Sequence, residues 1–172
     1  MKLRTALALL SLAAVAAGFG DRLDVLDRLT DARADPASAR VVRVVDGDTI
    51  KVRLDGRTDT VRYIGVDTPE TKKPGTAVQC FGKAAAAENR RLVAGERVRL
   101  TEGAEARDRY GRLLAYVRRE RDGVFVNERL IRGGYARTLT IAPNDRYAPR
   151  FRVLEARARA AQSGLWGRCS VP

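Results

Sequence analysis

The order of the predicted elements indicates an α+β domain in which five strands close into a small barrel with three flanking helices. Two features of the sequence predict this class. Runs of β-branched residues separated by Asp-Gly pairs dominate the first part of the domain, and alanine- and arginine-rich stretches with helix boundary residues follow. Closing the sheet into a barrel removes its exposed edges. We therefore expect a closed barrel rather than an open sheet.

The strands are predicted from β-rich runs that end at turn signals. Asp46-Gly47 separates the first two strands, and Asp55-Gly56 is typical of the turn of a β-hairpin. The five predicted strands cover residues 41–45, 49–54, 58–66, 97–101 and 113–118.

The helices are predicted from composition and from the residues at their ends. Residues 82–93 are helical in composition. Asn127 is expected to cap a second helix, which runs to the paired glycines 133–134. Pro149 suits the first turn of a last helix, which ends near Gly164.

The N-terminus is typical of an export signal. Lys2 and Arg4 precede an apolar run over residues 6–17, and Ala14 and Ala16 supply small residues near a cleavage site. This run is too short to span a bilayer, which takes about 20 residues. A buried N-terminal helix is the alternative, but it fits poorly with so much alanine after a basic start. We expect a secreted or extracytoplasmic protein with no stable membrane insertion after cleavage. Its predicted parts are a signal peptide (1–18), a charged linker (19–40), the folded domain (41–168) and a C-terminal tail (169–172).

The composition points to a polyanionic partner. The formal net charge is +12, and 28 of the 33 basic residues are arginine, whose planar guanidinium pairs with phosphate through two hydrogen bonds. Membrane-surface and ribosomal proteins are also basic, so charge alone leaves these classes open. The chain contains no histidine. Acid–base chemistry must therefore be done by carboxylates, arginines, tyrosines or water activated by a metal.

The two cysteines, Cys80 and Cys169, agree with export, because a disulfide forms and persists in an oxidising compartment. Metal binding by two cysteines without a histidine is improbable. We expect a Cys80–Cys169 bridge, with two free thiols as the alternative.

Residues suited to phosphodiester hydrolysis lie in three short blocks, residues 46–49, 62–70 and 110–112. Asp48 and Asp67 can ligate one hard cation, and Glu70 can orient or deprotonate a water molecule. Arg62 and Arg112 can hold the phosphate. Each block alone is explained as well by a turn or a helix start. The combination in this order is what indicates a catalytic site.

These segments resemble the staphylococcal nuclease (thermonuclease) family from about residue 41 to residue 166. The resemblance is carried by residues 45–49 (Val-Asp-Gly-Asp-Thr), 62–71 (with Asp-Thr-Pro-Glu), 108–116 (with Tyr-Gly-Arg) and 126–128 (Val-Asn-Glu). It implies an OB-type five-stranded β-barrel with three flanking α-helices. It also implies Ca²⁺-dependent nuclease activity on DNA and RNA.

The resemblance assigns a metal site one position at a time. Asp48 and Asp67 match the calcium carboxylates, and the backbone carbonyl of Thr68 matches a further oxygen ligand. Oxygen-only ligation suits a hard cation such as Ca²⁺. Asp46 matches a supporting carboxylate, for which a role in stabilising the turn is equally consistent with the sequence.

The resemblance also implies catalytic and substrate-binding residues. Glu70 matches the residue usually assigned as the general base, and Arg62 and Arg112 match the arginines that hold the scissile phosphate. Arg109 and Tyr110, in the same block as Arg112, are the expected substrate-binding residues.

One segment departs from the family pattern. The family carries tyrosines that pack on the sugar and base before a Pro-Asn pair, whereas residues 138–142 are one residue shorter and contain no aromatic side chain. Base stacking contributes roughly 1–3 kcal/mol per base, so the departure bears on substrate affinity. Tyr135 or Tyr147 is expected to compensate in part.

The sequence thus predicts an exported, Ca²⁺-dependent endonuclease that acts on DNA or RNA, as a monomer by default. The alternative is a non-catalytic OB-fold module that binds nucleic acid. Such a module would be expected to have lost one of the five charged site residues, and Asp48, Arg62, Asp67, Glu70 and Arg112 are all present.

Overall fold

The computed structural model describes residues 36–71, 75 and 77–170, and five of its strands form a closed barrel. The strands are β1 (Ala37–Val44), β2 (Thr49–Leu54), β3 (Arg57–Tyr63), β4 (Gly65–Asp67), β5 (Arg97–Arg107), β6 (Leu113–Arg119) and β7 (Arg137–Leu139). The order around the barrel is β1-β2-β3-β6-β5, and β1 pairs with β5 to close it. Only the β3–β6 pair of this barrel is parallel. The predicted α+β class with a five-stranded OB-type barrel is confirmed.

The third predicted strand is interrupted at Ile64, which separates β3 from β4. Gly65 has a φ of 75°, a left-handed conformation that glycine adopts without steric cost. A Cβ atom at this position would lie 2.6 Å from Cε2 of Phe151. The chain therefore leaves the barrel here, and β4 pairs with β7 in a separate two-stranded sheet that was not predicted.

Two strand boundaries also differ from the prediction. Residues 37–40 were assigned to the linker, but they belong to β1 and pair with residues 97–100 of β5. Strand β5 continues to Arg107, beyond its predicted end at residue 101. The predicted signal peptide and linker residues 19–35 lie outside the residues that the structure describes.

The helices are α1 (Gly82–Val93), α2 (Val126–Arg132), α3 (Ala148–Ala160) and the short α4 (Leu165–Arg168). Pro149 lies in the first turn of α3, as expected. The prediction that Asn127 caps α2 is wrong, because the helix begins at Val126 after Phe125. The Asn127 side chain is fully buried instead. Its Oδ1 accepts a hydrogen bond from the Val117 amide at 2.9 Å, and its Nδ2 donates to the Ile64 carbonyl at 2.8 Å. The local cap signal was overridden because this side chain satisfies buried backbone groups of two strand regions.

The main core fills the barrel and continues under α2 and α3. Four aromatic rings form a cluster at the contact between the barrel and α3, with edge-on, tilted and stacked contacts and ring centroids 4.7–6.3 Å apart: Tyr116, Phe125, Tyr147 and Phe151. A smaller cluster of Ala158, Leu165 and Trp166 packs against Phe81 and Cys169. No helix among the described residues is long and apolar enough to span a bilayer.

The expected disulfide is present between Cys80 and Cys169, which are 89 positions apart in the sequence. Cys80 lies two residues before α1, and Cys169 directly follows α4. The bridge therefore joins the segment after the C-terminal helix to the beginning of α1.

Candidate active site

Four segments of the chain line one polar pocket of about 230 Å³. They are the turn between β1 and β2 with the first residue of β2, strand β3, the end of β4 with the segment after it, and the loop between β5 and β6. The lining residues are Asp46, Asp48, Thr49, Arg62, Asp67, Thr68, Pro69, Glu70 and Arg112. All six residues predicted to be catalytic or metal-binding are therefore in one place, although they span 65 positions of the sequence from Asp48 to Arg112.

Asp48 is the most buried of these carboxylates, at 6% exposure. Its Oδ2 accepts hydrogen bonds from the backbone amide and from the hydroxyl of Thr68, both at 2.8 Å. Its Oδ1 accepts a hydrogen bond from the Thr49 hydroxyl at 3.1 Å. Gly47 packs closely against the same threonine, since a Cβ there would lie 2.6 Å from the Thr68 hydroxyl oxygen. Thr68 therefore joins the two carboxylate-bearing segments through its amide and side chain. The prediction for Thr68 concerned its backbone carbonyl as a metal ligand and did not include these contacts.

Arg62 lies between the carboxylates of Asp48 and Asp67. Its guanidinium nitrogens are 3.3 Å from an oxygen of each, and the side chain is only 13% exposed. The same group donates to the backbone carbonyls of Val66 at 2.6 Å and Tyr63 at 3.1 Å. Arg62 therefore supports the backbone of the segment as well as supplying positive charge to the pocket.

Arg112 is oriented by Asp108, and its guanidinium also lies 5.5 Å from the centre of the Tyr110 ring. Its Nε donates to Oδ2 of Asp108 at 2.7 Å, and the side chain is 32% exposed. Burial would raise the pKa of Asp108, but hydrogen bonds from Arg112 and from the amide of Tyr110 outweigh it and hold the pKa below its usual range. Asp108 is therefore ionised at neutral pH and orients the guanidinium of Arg112.

Glu70 lies in the segment between β4 and α1. Its Oε1 accepts a hydrogen bond from the Thr71 amide at 2.8 Å. Its own amide donates to the side-chain oxygen of Gln79 at 2.8 Å, and its carbonyl accepts from the Gln79 amide at 2.9 Å. The backbone of Glu70 is thus tied to the residues that precede α1.

The electrostatics of the pocket suit a cation with hard oxygen ligands. Burial, and then repulsion from Asp48, raises the pKa of Asp46 to about 6. Burial also raises the pKa of Asp67, although Arg62 opposes the shift. Four acidic residues, Asp46, Asp48, Asp67 and Glu70, line this pocket together with two arginines. Within the part of the chain that is described, no three carboxylates or thiols converge closely enough to hold a metal ion by themselves. A bound Ca²⁺ would fit here with two carboxylates, a backbone oxygen and water as ligands.

A second pocket of about 440 Å³ adjoins the first, and Arg62 and Arg112 line both. The predicted substrate-binding residues Arg109 and Tyr110 lie on its wall, and the Tyr110 ring is 69% exposed. The guanidinium of Arg109 lies 4.9 Å from the centre of that ring. The ring is therefore available for stacking.

The same pocket is also lined by the aliphatic side chains of Leu139 and Ile141, which the sequence did not identify as site residues. Neither Tyr135 nor Tyr147 lines the pocket. Tyr135 packs against Phe81, and Tyr147 is buried in the aromatic cluster. The expectation that one of these tyrosines compensates for the missing aromatic residues is therefore wrong. The sequence signal for this part of the pocket was the pair of apolar residues on either side of Thr140, in the segment that departs from the family pattern.

Comparison with known proteins agrees with this geometry. A family model described as "Staphylococcal nuclease homologue" matches residues 60–168. The chain is 44% identical over 139 residues to a thermonuclease of Staphylococcus intermedius, covering 81% of this chain and 80% of that protein. It is 41% identical over 133 residues to a thermonuclease of Staphylococcus hyicus, covering 77% and 78%. It is 44% identical over 128 residues to endonuclease YncB of Bacillus subtilis (strain 168), covering 73% of this chain but 60% of the length of YncB. On the family match and these identities, the chain belongs to the staphylococcal nuclease family.

Proposed function

We propose that this chain is a Ca²⁺-dependent endonuclease that hydrolyses phosphodiester bonds of DNA and RNA. The observation that carries the proposal is the arrangement of one polar pocket. Three carboxylates and two arginines of the predicted site line it together, beside a larger pocket with an exposed aromatic ring. The names of the relatives and the net charge of +12 support a nucleic-acid substrate.

The two arginines would hold the scissile phosphate. Both line the polar pocket, and each guanidinium keeps its charge and its planar pair of donors at any working pH. Arg62 is held on one side by Asp48 and Asp67, and Arg112 is held by Asp108. Donors that are already oriented stabilise the charge that develops in the transition state without reorganising during the reaction.

Glu70 would act as the general base, accepting the proton of the attacking water. Its side chain lines the same pocket as the two arginines, as that role requires. Its backbone contacts to Gln79 hold the residue at the edge of the pocket. The base and the phosphate donors thus come from different segments that the fold brings together.

Asp48, Asp67 and the carbonyl of Thr68 would hold Ca²⁺. The ion would supply positive charge to the phosphate and act as a Lewis acid. The two hydrogen bonds from Thr68 orient one carboxylate oxygen of Asp48, so this proposed ligand is positioned before the ion binds.

Substrate would extend into the second pocket. Tyr110 would stack on a base or sugar, and Arg109 would contact a phosphate. Leu139 and Ile141 offer aliphatic contact in the same pocket, in the segment where the family carries tyrosines. We infer weaker base stacking than in those relatives.

The location and assembly state are further parts of the proposal. The N-terminal signal pattern and the Cys80–Cys169 disulfide support export to an oxidising compartment, whether secreted or extracytoplasmic. We propose a monomer that is not inserted in the membrane after signal cleavage.

The test is cleavage of supercoiled plasmid and of a labelled single-stranded RNA by the purified, oxidised protein. Activity should appear with Ca²⁺, disappear with EGTA and return when Ca²⁺ is restored. Glu70→Gln should lose the activity, and Glu102→Gln, which removes an exposed carboxylate of β5, should keep it. Cleavage that persists in EGTA would contradict the metal role. A gel shift without cleavage under every metal condition would favour the non-catalytic binding module.

A further inference from the structure

A fully buried polar contact lies directly behind the turn that carries Asp48. Tyr63, on β3, donates its hydroxyl hydrogen to Oδ1 of Asn89 at 2.9 Å. Asn89, on α1, donates from Nδ2 to the backbone carbonyl of Asp46 at 2.8 Å. Asn89 has no exposed surface, and Tyr63 is 1% exposed. A buried amide of this kind is retained only where its hydrogen bonds are made, so the contact specifies one position of the turn.

Tyr63 holds the turn at a second point. Its backbone amide donates to the carbonyl of Asp48 at 2.9 Å. The carbonyls of Asp46 and Asp48 are therefore both bound by Tyr63, one directly and one through Asn89. On the pocket side, the Asp48 carboxylate is bound by Thr68 and approached by Arg62. The turn is restrained from both sides, from the core behind it and from the pocket in front.

This contact is not part of the pocket itself. Neither Tyr63 nor Asn89 lines the polar pocket. Loss of the Asn89 amide would leave the Asp46 carbonyl without its buried donor, and the turn would shift toward water to satisfy it. A shift of the turn would change the distance between the Asp48 and Asp67 carboxylates. Metal affinity depends on that distance.

We propose that Asn89 and Tyr63 are positioning residues that hold the Asp46–Asp48 turn in the conformation in which Asp48 binds the cation. The inference rests on the proposed Ca²⁺ site. It assigns a function in metal binding to a helix that contributes no ligand. Groups that support metal ligands through hydrogen bonds typically change metal affinity by about 10- to 100-fold when they are removed.

The test is isothermal calorimetry of Ca²⁺ binding to the oxidised protein without nucleic acid, so that the readout does not depend on activity. Asn89→Leu keeps the side-chain volume and removes both hydrogen bonds. We expect it to raise the Ca²⁺ dissociation constant about 10-fold. Tyr63→Phe removes one hydroxyl and leaves the Asn89 amide in place, so a smaller increase is expected. Leu92→Ala is the control on the same helix, because it lowers stability through a buried side chain away from the turn and should leave the dissociation constant unchanged.

A double-mutant cycle separates positioning from general destabilisation. Because Tyr63 acts through Asn89, adding Tyr63→Phe to Asn89→Leu should change the dissociation constant by less than about twofold. Wild-type affinity in both single variants would overturn the inference. If Asn89→Leu does not fold, Tyr63→Phe decides the question, and an unchanged dissociation constant again overturns it. If the wild-type protein itself binds no Ca²⁺, the proposed metal role fails and this inference fails with it.

Discussion

Glu70 and Gln79 are joined by two hydrogen bonds across the segment that precedes α1. The Gln79 amide donates to the Glu70 carbonyl at 2.9 Å, and the Glu70 amide donates to the side-chain oxygen of Gln79 at 2.8 Å. The next residue, Cys80, is bridged to Cys169. Gly82 also packs against this segment, since a Cβ there would lie 3.0 Å from the Glu70 carbonyl. The backbone of the proposed base therefore rests on a segment that is anchored to the C-terminal end of the domain.

Gln79→Ala should lower kcat, because the Glu70 amide loses its acceptor and the carboxylate loses its position. The expected decrease is between about 5- and 100-fold, with KM for plasmid DNA changed little. Initial rates over a range of substrate concentrations measure both constants. The matched control is Gln162→Ala, whose side-chain amide donates to the Arg159 carbonyl near the end of α3. Equal kcat in the two variants would show that Gln79 does not position Glu70.

Arg62→Lys and Arg112→Lys should both reduce kcat by about 10²–10³-fold, since lysine keeps the charge but loses the paired donors. Their effects on stability should differ. Arg62 binds two backbone carbonyls, so its replacement should lower the free energy of unfolding by about 1–3 kcal/mol.

The Arg112 side chain is more exposed and its ion pair is with Asp108, not with backbone carbonyls, so its replacement should change the free energy of unfolding by less than about 1 kcal/mol. Urea unfolding of both variants, measured without metal, provides the comparison. Equal stability losses would contradict the backbone-supporting role of Arg62.

Reduction of the disulfide should lower the melting temperature while kcat below the transition stays nearly unchanged. The bridge closes a loop with a sequence separation of 89 residues, which the chain-entropy model values at about 4–5 kcal/mol, less any strain. Gly82 still packs on the Glu70 segment in the reduced protein, so the site is expected to persist. Thermal melts with and without reductant test the expected decrease in melting temperature. Initial rates under the same two conditions test whether kcat stays unchanged. The Cys80→Ser/Cys169→Ser double variant is the control and should not respond to reductant. A large loss of kcat when the wild-type protein is reduced would contradict the expectation that kcat is unchanged.

Ile141→Tyr should lower KM for single-stranded DNA, because it adds an aromatic ring to the pocket that Tyr110 also lines. A new stacking contact is worth roughly 1–3 kcal/mol per base, so a decrease of about 10-fold is expected. Val153→Tyr adds the same ring at an exposed position of α3 outside the pocket and should leave KM unchanged. If both variants lowered KM equally, the gain would not come from this pocket.

The barrel and the charged blocks were predictable because their signals are local. Runs of β-branched residues and Asp-Gly turns predict the hairpins from neighbouring residues alone. Asp48, Asp67 and Glu70 lie in short motifs whose residue types, taken together, suit phosphodiester hydrolysis. The disulfide was predicted from a lone pair of cysteines that follow a predicted export signal, and the structure confirms the disulfide.

Other features depend on contacts between distant segments. Strand β7 has three residues, and it is a strand only because β4 supplies its partner. Asn127 carries a local cap signal, yet its side chain serves two backbone groups, one of them 63 positions away. Asn89 looks like an ordinary polar residue of a helix until folding places its amide against Asp46, 43 positions earlier. Tyr147 looks available for substrate until packing buries it in the aromatic cluster. Local sequence specifies turns, strands and the side chains whose chemistry suits metal binding and catalysis. Which buried polar groups meet, and which aromatic rings remain exposed, is decided by tertiary packing, because burial and hydrogen-bond satisfaction are properties of the whole domain.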